Sequence, residues 1–491
     1  MTTEYHYLSG GISASEADRS SASRRNSQQQ NSPSDTFDAT DPQMIPAVLG
    51  PNNTRISAQT ASDWDIRATW RPPAIPFDTT LFRYIIFWLI GFFALATLSL
   101  FSNDTSPFII KTIYSTLIVL GVLYPVLIAL PAARNFSAIP YLLFFAISAT
   151  SFLGVTETMT GFHVISSNPA VYGLSFYGAS LAYHVYLRSL TVSTAVTSAN
   201  PLLLFTGPIA TSAGLIKYSS LKRRLIHYFP YALIGFFFFK IVGAPLGNFF
   251  WMIDCTNILT SLQFAAIFEM FVYFNFAGLS LIVYAVCGII GLKIPLNFQQ
   301  PFSARNIIEF WRGWHISLST VLKTLFYTPT RKAFGGTTAL FIVYVSSAFW
   351  HGVAINFVIW GIFHAVCFWL TIKLLKSDWR LLTTILMVFA IVYGRMLFVD
   401  SDTERLLAKM TFDSTFPAQI SEAKIPTIAY ISLAMASTLV FLEFALAKQR
   451  LFRQRTYKYL RTNISQILIL AATILLIQSD GGASYAVYGQ R

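Results

Sequence analysis

Long apolar runs recur between residues 81 and 478 of this chain, with short polar stretches between them. A run of about 20 apolar residues is long enough for an α-helix to cross the hydrocarbon core of a bilayer. The polar stretches are then the loops between successive crossings. The pattern predicts an all-α fold, a polytopic transmembrane helical bundle with about 10–12 spans.

The hydropathy pattern also predicts where the chain crosses the membrane. The run at Ile258–Leu292 is too long for one straight crossing, and Pro201–Leu215 is broken by Pro and Gly, which favours a re-entrant segment buried in protein. The predicted spans are Leu81–Ser102, Phe108–Ala132, Ile139–Met159, Tyr172–Leu190, Tyr228–Leu246, Ile258–Leu292, Thr338–Phe357, Val358–Leu375, Leu381–Val399, Thr427–Ala447 and Ser465–Gln478.

Composition agrees with the membrane class, since 54% of the residues are hydrophobic and only 12% are charged. The formal net charge of +13 does not indicate nucleic acid, because the basic residues lie mostly in short loops and at helix ends. Basic loops favour the cytoplasmic side, whereas the loop 103–107 has no Lys or Arg. We therefore expect a multi-pass protein of the plasma or inner membrane with a cytoplasmic N-terminal tail.

The first 80 residues differ from the rest of the chain. They are rich in Ser, Thr, Asn, Gln, Asp and Pro and lack the apolar stretch of a cleaved signal peptide. The sequence thus predicts two regions, a disordered polar tail at 1–80 and a transmembrane domain at 81–491. The three cysteines have no paired spacing, so neither disulfides nor a metal site is indicated.

One segment, Arg305–Pro329, is unlike a lipid-facing span. On a helix of 100° per residue, its polar side chains fall within an arc of about 120°. The pattern predicts one helix with a continuous polar face, which can line an aqueous cavity or lie in the headgroup layer. The residues on that face are Arg305, Glu309, Arg312, His315, Ser319 and Lys323.

A histidine, His351, lies within one of the most apolar stretches, SSAFWHGVAINFVIWGIFHA. Ionisable side chains at membrane depth are costly and usually face a bundle interior or a water-filled path, where they have a function. The upstream run EFWRGWHISLS carries His315. We expect the two histidines to meet from neighbouring segments.

The stretch from Asn275 to His364, which contains both histidine runs, resembles the core of the membrane-bound O-acyltransferase family. It is similar to the bacterial branch with the alginate O-acetylation and teichoic acid D-alanylation membrane proteins. The resemblance extends back through GLSFYGASLAYHVYLR and FTGPI, which lie within residues 173–209. The combination of EFWRGWHISLS with a downstream WHG is what makes it specific.

The resemblance implies a helical bundle with a central funnel or tunnel. It implies an acyl thioester donor, acetyl-CoA or an acyl carrier protein, arriving from the cytoplasm, and an acceptor hydroxyl on the other side. No bound cofactor is implied. His351 matches the catalytic histidine of the family and His315 the second histidine of its pattern.

The chemistry of acyl transfer to a hydroxyl agrees with that assignment. An imidazole that takes the hydroxyl proton accelerates such a transfer by about 10²- to 10⁴-fold, and burial keeps the imidazole neutral beforehand. We predict His351 as general base, with His315 orienting the thioester or stabilising the oxyanion. The predicted substrate- and donor-binding residues are Arg305, Glu309, Trp311, Arg312, Trp314, Ser319 and Trp350.

The C-terminal run YAVYGQR adds a second resemblance. In alginate-type members an aromatic motif near the C-terminus has a central tyrosine, proposed there to carry the acyl group, and Tyr488 stands at the matching position. The chain departs from the motif at Ala486, Gly489 and Arg491. Tyr488 is predicted as an acyl carrier by nucleophilic catalysis, or alternatively as an interfacial anchor of the last helix.

These observations predict O-acylation of an extracytoplasmic cell-surface polysaccharide, with acetyl preferred because the tyrosine is in the same chain. The expected partners are the thioester donor, the polysaccharide or an extracytoplasmic transferase, and the lipid bilayer. The sequence leaves open D-alanyl transfer from a carrier protein to teichoic acid. It also leaves open a proton-relaying transporter and a non-catalytic scaffold.

Overall fold

The computed structural model describes residues 88–90, 138–152, 169–190, 192–211, 214–216, 220–253, 255–352, 355–377, 379–399, 403–411, 427–446 and 466. The polar tail at 1–80, the predicted span at 108–132 and Tyr488 lie outside these residues. So do nearly all of the predicted spans at 81–102 and 465–478. The two-region division of the chain therefore stays a prediction.

The described part of the chain is mostly helical, as the apolar pattern predicts. Its α-helices in chain order are α1 (Ile139–Phe152), α2 (Pro169–Tyr186), α3 (Val192–Ser198), α4 (Pro201–Thr206), α5 (Leu221–Phe236), α6 (Leu246–Phe249), α7 (Ile258–Ile290), α8 (Ile307–Gly313), α9 (Ile316–Leu322), α10 (Thr328–Phe334), α11 (Gly336–His351), α12 (Ile355–Lys376), α13 (Arg380–Val399), α14 (Thr403–Thr411) and α15 (Thr427–Leu446).

Short non-α elements connect these helices. Two π-helical turns extend α5 and α9, at Phe237–Gly243 and Lys323–Tyr327. Two 3₁₀ turns lie at Phe250–Met252 and Pro301–Ser303. A two-residue antiparallel pair joins β1 (Gly214–Leu215) to β2 (Leu292–Lys293), with Gly214 opposite Lys293.

Five helices among the described residues are long and apolar enough to cross a membrane. They are Leu221–Gly243, Ile258–Ile290, Ile355–Lys376, Arg380–Val399 and Thr427–Ala445, and each overlaps a predicted span. The protein is thus a multi-pass helical membrane protein. Two of the remaining predicted spans correspond to α1, which is shorter than predicted, and to α2. Others lie outside the described residues.

Helix α7 is the central element of the bundle. It runs unbroken for 33 residues, about 50 Å, which exceeds the roughly 30 Å hydrocarbon core. Most of the helix is buried in the bundle, whereas Ile258 and Leu259 in its first turn are exposed. Asn257 and Thr260 close its N-terminus with a capping box, and Gly291 ends it in the left-handed region at φ 103°. Helices α5 and α13 pack against it.

The predicted re-entrant segment at Pro201–Leu215 is broken, as its Pro and Gly indicate. Helix α4 ends at Thr206 and the chain continues through non-helical residues to β1. Leu202, Leu203 and Ile209 are buried in protein. Non-helical backbone at membrane depth is tolerated under such cover.

Two boundaries differ from the sequence prediction. The predicted span at Thr338–Phe357 ends earlier, since α11 stops at His351 and Phe357 belongs to α12. The predicted continuous polar helix at Arg305–Pro329 is wrong, because α8 ends at Gly313 and α9 begins at Ile316. Between them His315 has left-handed backbone angles, φ 45° and ψ 54°, which no continuous helix allows.

The close contact between α5 and α7 depends on the absence of a side chain at Gly278. A Cβ there would lie 2.5 Å from the Phe239 nitrogen and 2.7 Å from the Gly235 oxygen. Small residues permit such backbone approach between membrane helices.

We expect Gly278→Ala to destabilise the protein by about 1–3 kcal/mol, since two backbones must move apart. The measurement is denaturant unfolding of the full chain in detergent micelles. Gly336→Ala is the matched control, because a Cβ at Gly336 meets nothing within 4 Å. Equal unfolding midpoints for the two variants would contradict the packing argument.

Candidate functional site

His351 lies at the C-terminal end of α11, where three aromatic rings surround its imidazole. It is the last helical residue before Gly352, and its side chain is 8% exposed. The centre of its ring lies 4.9 Å from that of Trp350, 5.6 Å from that of Trp360 and 5.0 Å from that of Phe398, all edge-on. Helix α11, about four turns of mostly apolar sequence, thus ends with an imidazole enclosed by aromatic rings.

His315 lies at the break between α8 and α9 and is 4% exposed. Its ring centre is 4.9 Å from that of Phe276 on α7 and 6.3 Å from that of Phe176 on α2. Burial lowers the pKa of this imidazole from 6.5 to about 3, so it is neutral at physiological pH. The unusual backbone conformation aims this side chain into the bundle instead of along a helix face.

The indole of Trp350 joins the two histidines. Its ring contacts His351 next to it in sequence and His315 at a centroid distance of 5.7 Å. Its Nε1–H donates to the carbonyl of Ser175 on α2 at 3.3 Å, which fixes the ring between the helices. The structure therefore places the two predicted histidines on one shared aromatic wall.

A hydrogen-bond network holds His315 in place. Asn297 Oδ1 lies 3.1 Å from His315 Nδ1 and accepts the Ser317 hydroxyl at 2.8 Å. The backbone N–H of Ile209 donates to Ser317 Oγ at 3.0 Å, and that of Ile316 donates to the Asn297 carbonyl at 2.9 Å. Within the described part of the chain, His315 Nε2 has no hydrogen-bond partner.

Trp311 in α8 and Trp314 at its end were also predicted to bind the substrate or donor. Trp314 is buried and stacks on Phe310 at a centroid distance of 5.3 Å. Trp311 is half-buried and packs edge-on against Trp360 and His364, at 6.0 and 5.5 Å. Trp311 thus reaches the enclosure of His351 through Trp360, and Trp314 precedes His315 in the sequence.

Arg305 and Glu309 hold the start of α8 against α15. The backbone N–H of Arg305 donates to Glu309 Oε2 at 3.0 Å. The Arg305 guanidinium donates to the carbonyl of Phe444 at 2.9 Å and lies 3.8 Å above its ring. The predicted shared face is absent because the helix breaks: Arg312 is exposed, and Ser319 is half-buried with its hydroxyl 3.5 Å from the Trp314 carbonyl.

A buried ion pair joins α7 to α13 next to this wall, and the sequence prediction missed it. Arg395 Nε donates to Glu269 Oε2, and both residues are buried. The Arg395 guanidinium carbon lies 4.9 Å from the ring centre of Trp314 and 5.7 Å from that of Phe398. The sequence does contain an indication of it, because Glu269 and Arg395 are ionisable residues within apolar runs, as His351 is.

Two further histidines have structural partners. His184 is hydrogen-bonded at both ring nitrogens, to Ser189 Oγ at 3.0 Å and to the Ala210 carbonyl at 2.8 Å. His364 Nδ1 lies 3.1 Å from the Trp360 carbonyl, and its ring packs on Gly394, where any Cβ would lie 2.2 Å from it. Both imidazoles are therefore hydrogen-bonded within the protein.

The described residues hold no cluster of three or more His, Cys, Asp or Glu side chains arranged to bind a metal ion. What converges here is a pair of buried imidazoles, a ring of aromatic side chains and a neighbouring guanidinium. Such a site can move a proton while its walls exclude water. That chemistry suits transfer of a group that water would otherwise hydrolyse.

A family comparison agrees with the chemistry of this site. The model of the membrane-bound O-acyltransferase family matches residues 141–376. The matched segment contains both His315 and His351. It also contains Glu269, whereas Arg395, the partner of Glu269, lies beyond its end.

Curated relatives match shorter stretches of the chain. A teichoic acid D-alanyltransferase of Bacillus subtilis is 32% identical over 148 residues, 27% of this chain and 38% of that protein. A peptidoglycan O-acetyltransferase of Helicobacter pylori is 35% identical over 116 residues, 22% of this chain and 20% of its own length. A probable alginate O-acetylase of Pseudomonas syringae pv. tomato is 37% identical over 105 residues, 21% of this chain and 20% of its own. The chain thus spans between a fifth and two fifths of these relatives.

The Arg395–Glu269 pair generates a stability prediction. We expect Arg395→Met to cost about 3–5 kcal/mol of unfolding free energy, because it leaves a buried carboxylate without its cation. The double variant Arg395→Met with Glu269→Met should regain most of that loss, since no unpaired charge remains. Unfolding curves in detergent measure both, and a double variant as unstable as the single one would contradict the charge explanation.

Proposed function

We propose that this chain, in which residues 141–376 form a membrane-bound O-acyltransferase domain, transfers an acyl group from a thioester donor to a hydroxyl of an extracytoplasmic cell-surface polysaccharide. The acyl group that we propose is acetyl. The observation that carries the proposal is the placement of His315 and His351 on the indole of Trp350, inside the matched segment.

In this mechanism His351 is the general base. The acceptor hydroxyl gives its proton to the imidazole as its oxygen attacks the thioester carbonyl carbon. The carbon–sulfur bond then breaks, and the leaving thiolate takes the proton back from the imidazolium, so the imidazole ends neutral. Proton transfer by a positioned side chain of this kind accelerates a reaction by about 10²- to 10⁴-fold.

The aromatic enclosure serves the same reaction. Trp350, Trp360 and Phe398 cover the imidazole of His351 and leave it 8% exposed. A thioester is thermodynamically unstable toward water, so a dry site directs the acyl group to the intended hydroxyl. Trp311 and Trp314 extend the wall toward the donor, and Arg305 and Glu309 act through the position of α8.

The donor and its side of entry are part of the proposal. Either acetyl-CoA or an acyl carrier protein supplies the thioester, from the cytoplasmic face that carries the basic loops. The acceptor is the polysaccharide itself, or an extracytoplasmic transferase that passes the group on. The cytoplasmic N-terminal tail and the plasma or inner membrane follow from the same charge pattern.

D-alanyl transfer to teichoic acid is the second candidate function. It is favoured by the similarity to the Bacillus subtilis teichoic acid D-alanyltransferase, which covers the largest share of this chain among the relatives described above. The same base and the same aromatic walls serve either acyl group. The mass of the ester-linked group on the product distinguishes the two.

We expect His351→Ala to lower polymer acylation by about 10²-fold or more, because the transfer loses its base. The gene in its source organism is replaced by the variant, and acyl groups released from the envelope polymer by alkali are measured by mass spectrometry. His227→Ala, a half-buried histidine on α5, is the matched control. Retained acylation by a membrane-inserted His351→Ala protein would favour the scaffold alternative.

Tyr488 is the proposed acyl carrier: its hydroxyl is the one that His351 deprotonates first, and the acyl group then passes from Tyr488 to the polysaccharide or to the extracytoplasmic transferase. An acyl ester on its hydroxyl should add the mass of one acyl group to the C-terminal peptide, and Tyr488→Phe should remove that adduct because the nucleophile is absent. Peptide mass analysis of the protein trapped during turnover is the measurement. An unmodified peptide from an active preparation would leave the interfacial-anchor role instead.

A further inference from the structure

The hydrogen bonds around Asn297 determine which atom of its side chain faces His315. The backbone N–H of Ser317 lies 3.4 Å from the Asn297 side-chain atom assigned as Oδ1, and a backbone N–H can only donate. The Ser317 hydroxyl, which accepts from Ile209 N–H, has its own hydrogen left for the same atom. On the other side, Asn297 Nδ2 donates to Ser280 Oγ at 3.3 Å. The atom toward His315 is therefore the oxygen.

That assignment fixes the hydrogen on the imidazole of His315. A carbonyl-type oxygen accepts, so the ring nitrogen 3.1 Å away, Nδ1, must carry the hydrogen and donate it. A neutral imidazole has one ring hydrogen, which leaves Nε2 with a lone pair. Burial holds the ring neutral by lowering its pKa to about 3. Nε2 therefore accepts hydrogen bonds and does not donate them.

This state of His315 separates two roles that the sequence left open. A lone pair cannot stabilise an oxyanion, which needs a donor. It also makes a weak base, because effective general bases have pKa values near the operating pH. What remains is acceptance of a hydrogen bond from a neutral donor on the substrate, between the rings of Phe276, Phe176 and Trp350.

We infer that Asn297 is a positioning residue that holds His315 in its Nδ1–H form, so that Nε2 binds the amide N–H nearest the sulfur of a pantetheine-type thioester donor. This inference rests on the proposed function and specifies its donor site. Coenzyme A and acyl carrier proteins share that arm, with an amide two carbons from the sulfur. The hydroxyl that is being acylated is excluded as the partner, since its single hydrogen goes to His351.

The test compares two donors that differ only at the proposed hydrogen bond. One is S-acetyl-N-acetylcysteamine, and the other is its ketone analogue, in which a methylene replaces the amide N–H. Open membrane fragments from the source organism, carrying the full chain and its native acceptors, receive each donor with a labelled acetyl group. The ratio of the two initial rates of polymer labelling, at donor concentrations below KM, measures recognition of the N–H.

The natural chain should prefer the amide donor by roughly 3- to 10-fold, the selectivity of one neutral hydrogen bond. In Asn297→Ala the ratio should fall close to 1, because the ring no longer has a fixed tautomer, and His315→Ala should give the same ratio. Asn297→Asp retains an oxygen toward Nδ1 and should retain the preference. Ser280→Ala, which removes only the bond at Nδ2, is the matched control and should retain it as well.

A misfolded variant lowers both rates but does not move their ratio, so the readout is independent of the amount of active protein. Equal rates for the two donors in the natural chain would overturn the inference, and so would an unchanged preference in Asn297→Ala. Each of those results leaves the proposed acyl transfer standing. Absence of labelling from every donor in the natural chain would contradict the proposed function and this inference with it.

Discussion

The fold depends on one constraint: a polar group away from water must find its partner within the protein. A bilayer interior offers no hydrogen bonds to exposed backbone, so the apolar runs become helices. Where the described chain leaves the helix, backbone and side-chain groups of another segment supply the hydrogen bonds that helix geometry no longer provides. The break at Trp314 and His315 is bonded to the Asn297 loop, through Ile316 N–H and the Ser317 hydroxyl.

The same constraint explains why the candidate site has so few charges. His315 and His351 are buried among rings, and a neutral imidazole is the ionisable group that can be buried there at least cost. The charges buried next to the site, on Glu269 and Arg395, form a pair. The guanidinium also faces Trp314 and Phe398, whose ring electrons favour a cation. The proposed proton chemistry and the buried ion pair thus lie next to each other and use different residues.

The sequence predicted the long apolar helices, but it did not predict the features that depend on contacts between distant segments. The helical class and the places of the five long helices follow from hydropathy, because lipid selects apolar runs whatever their neighbours. The helical spacing of the polar residues in Arg305–Pro329 gave no indication that the helix breaks there. His315 adopts a left-handed conformation to meet Asn297, and nothing local to EFWRGWHISLS specifies that partner. Glu269 and Arg395 were visible as charges in apolar runs, but their pairing needs the contact between α7 and α13.

The contacts of α15 have a consequence for how this protein can be divided. Glu443 on α15 accepts hydrogen bonds from the Tyr273 hydroxyl at 2.9 Å and from the Phe302 N–H at 2.7 Å, and Arg305 binds the Phe444 carbonyl beside it. Arg395 likewise supplies the cation for Glu269. In each of these contacts one partner lies within the matched segment 141–376 and the other lies beyond residue 376. A fragment cut at that boundary would keep His315 and His351 but would leave the Glu269 carboxylate in an apolar helix without its cation. The segment that matches the family model therefore depends on α13 and α15 for part of its buried polar contacts.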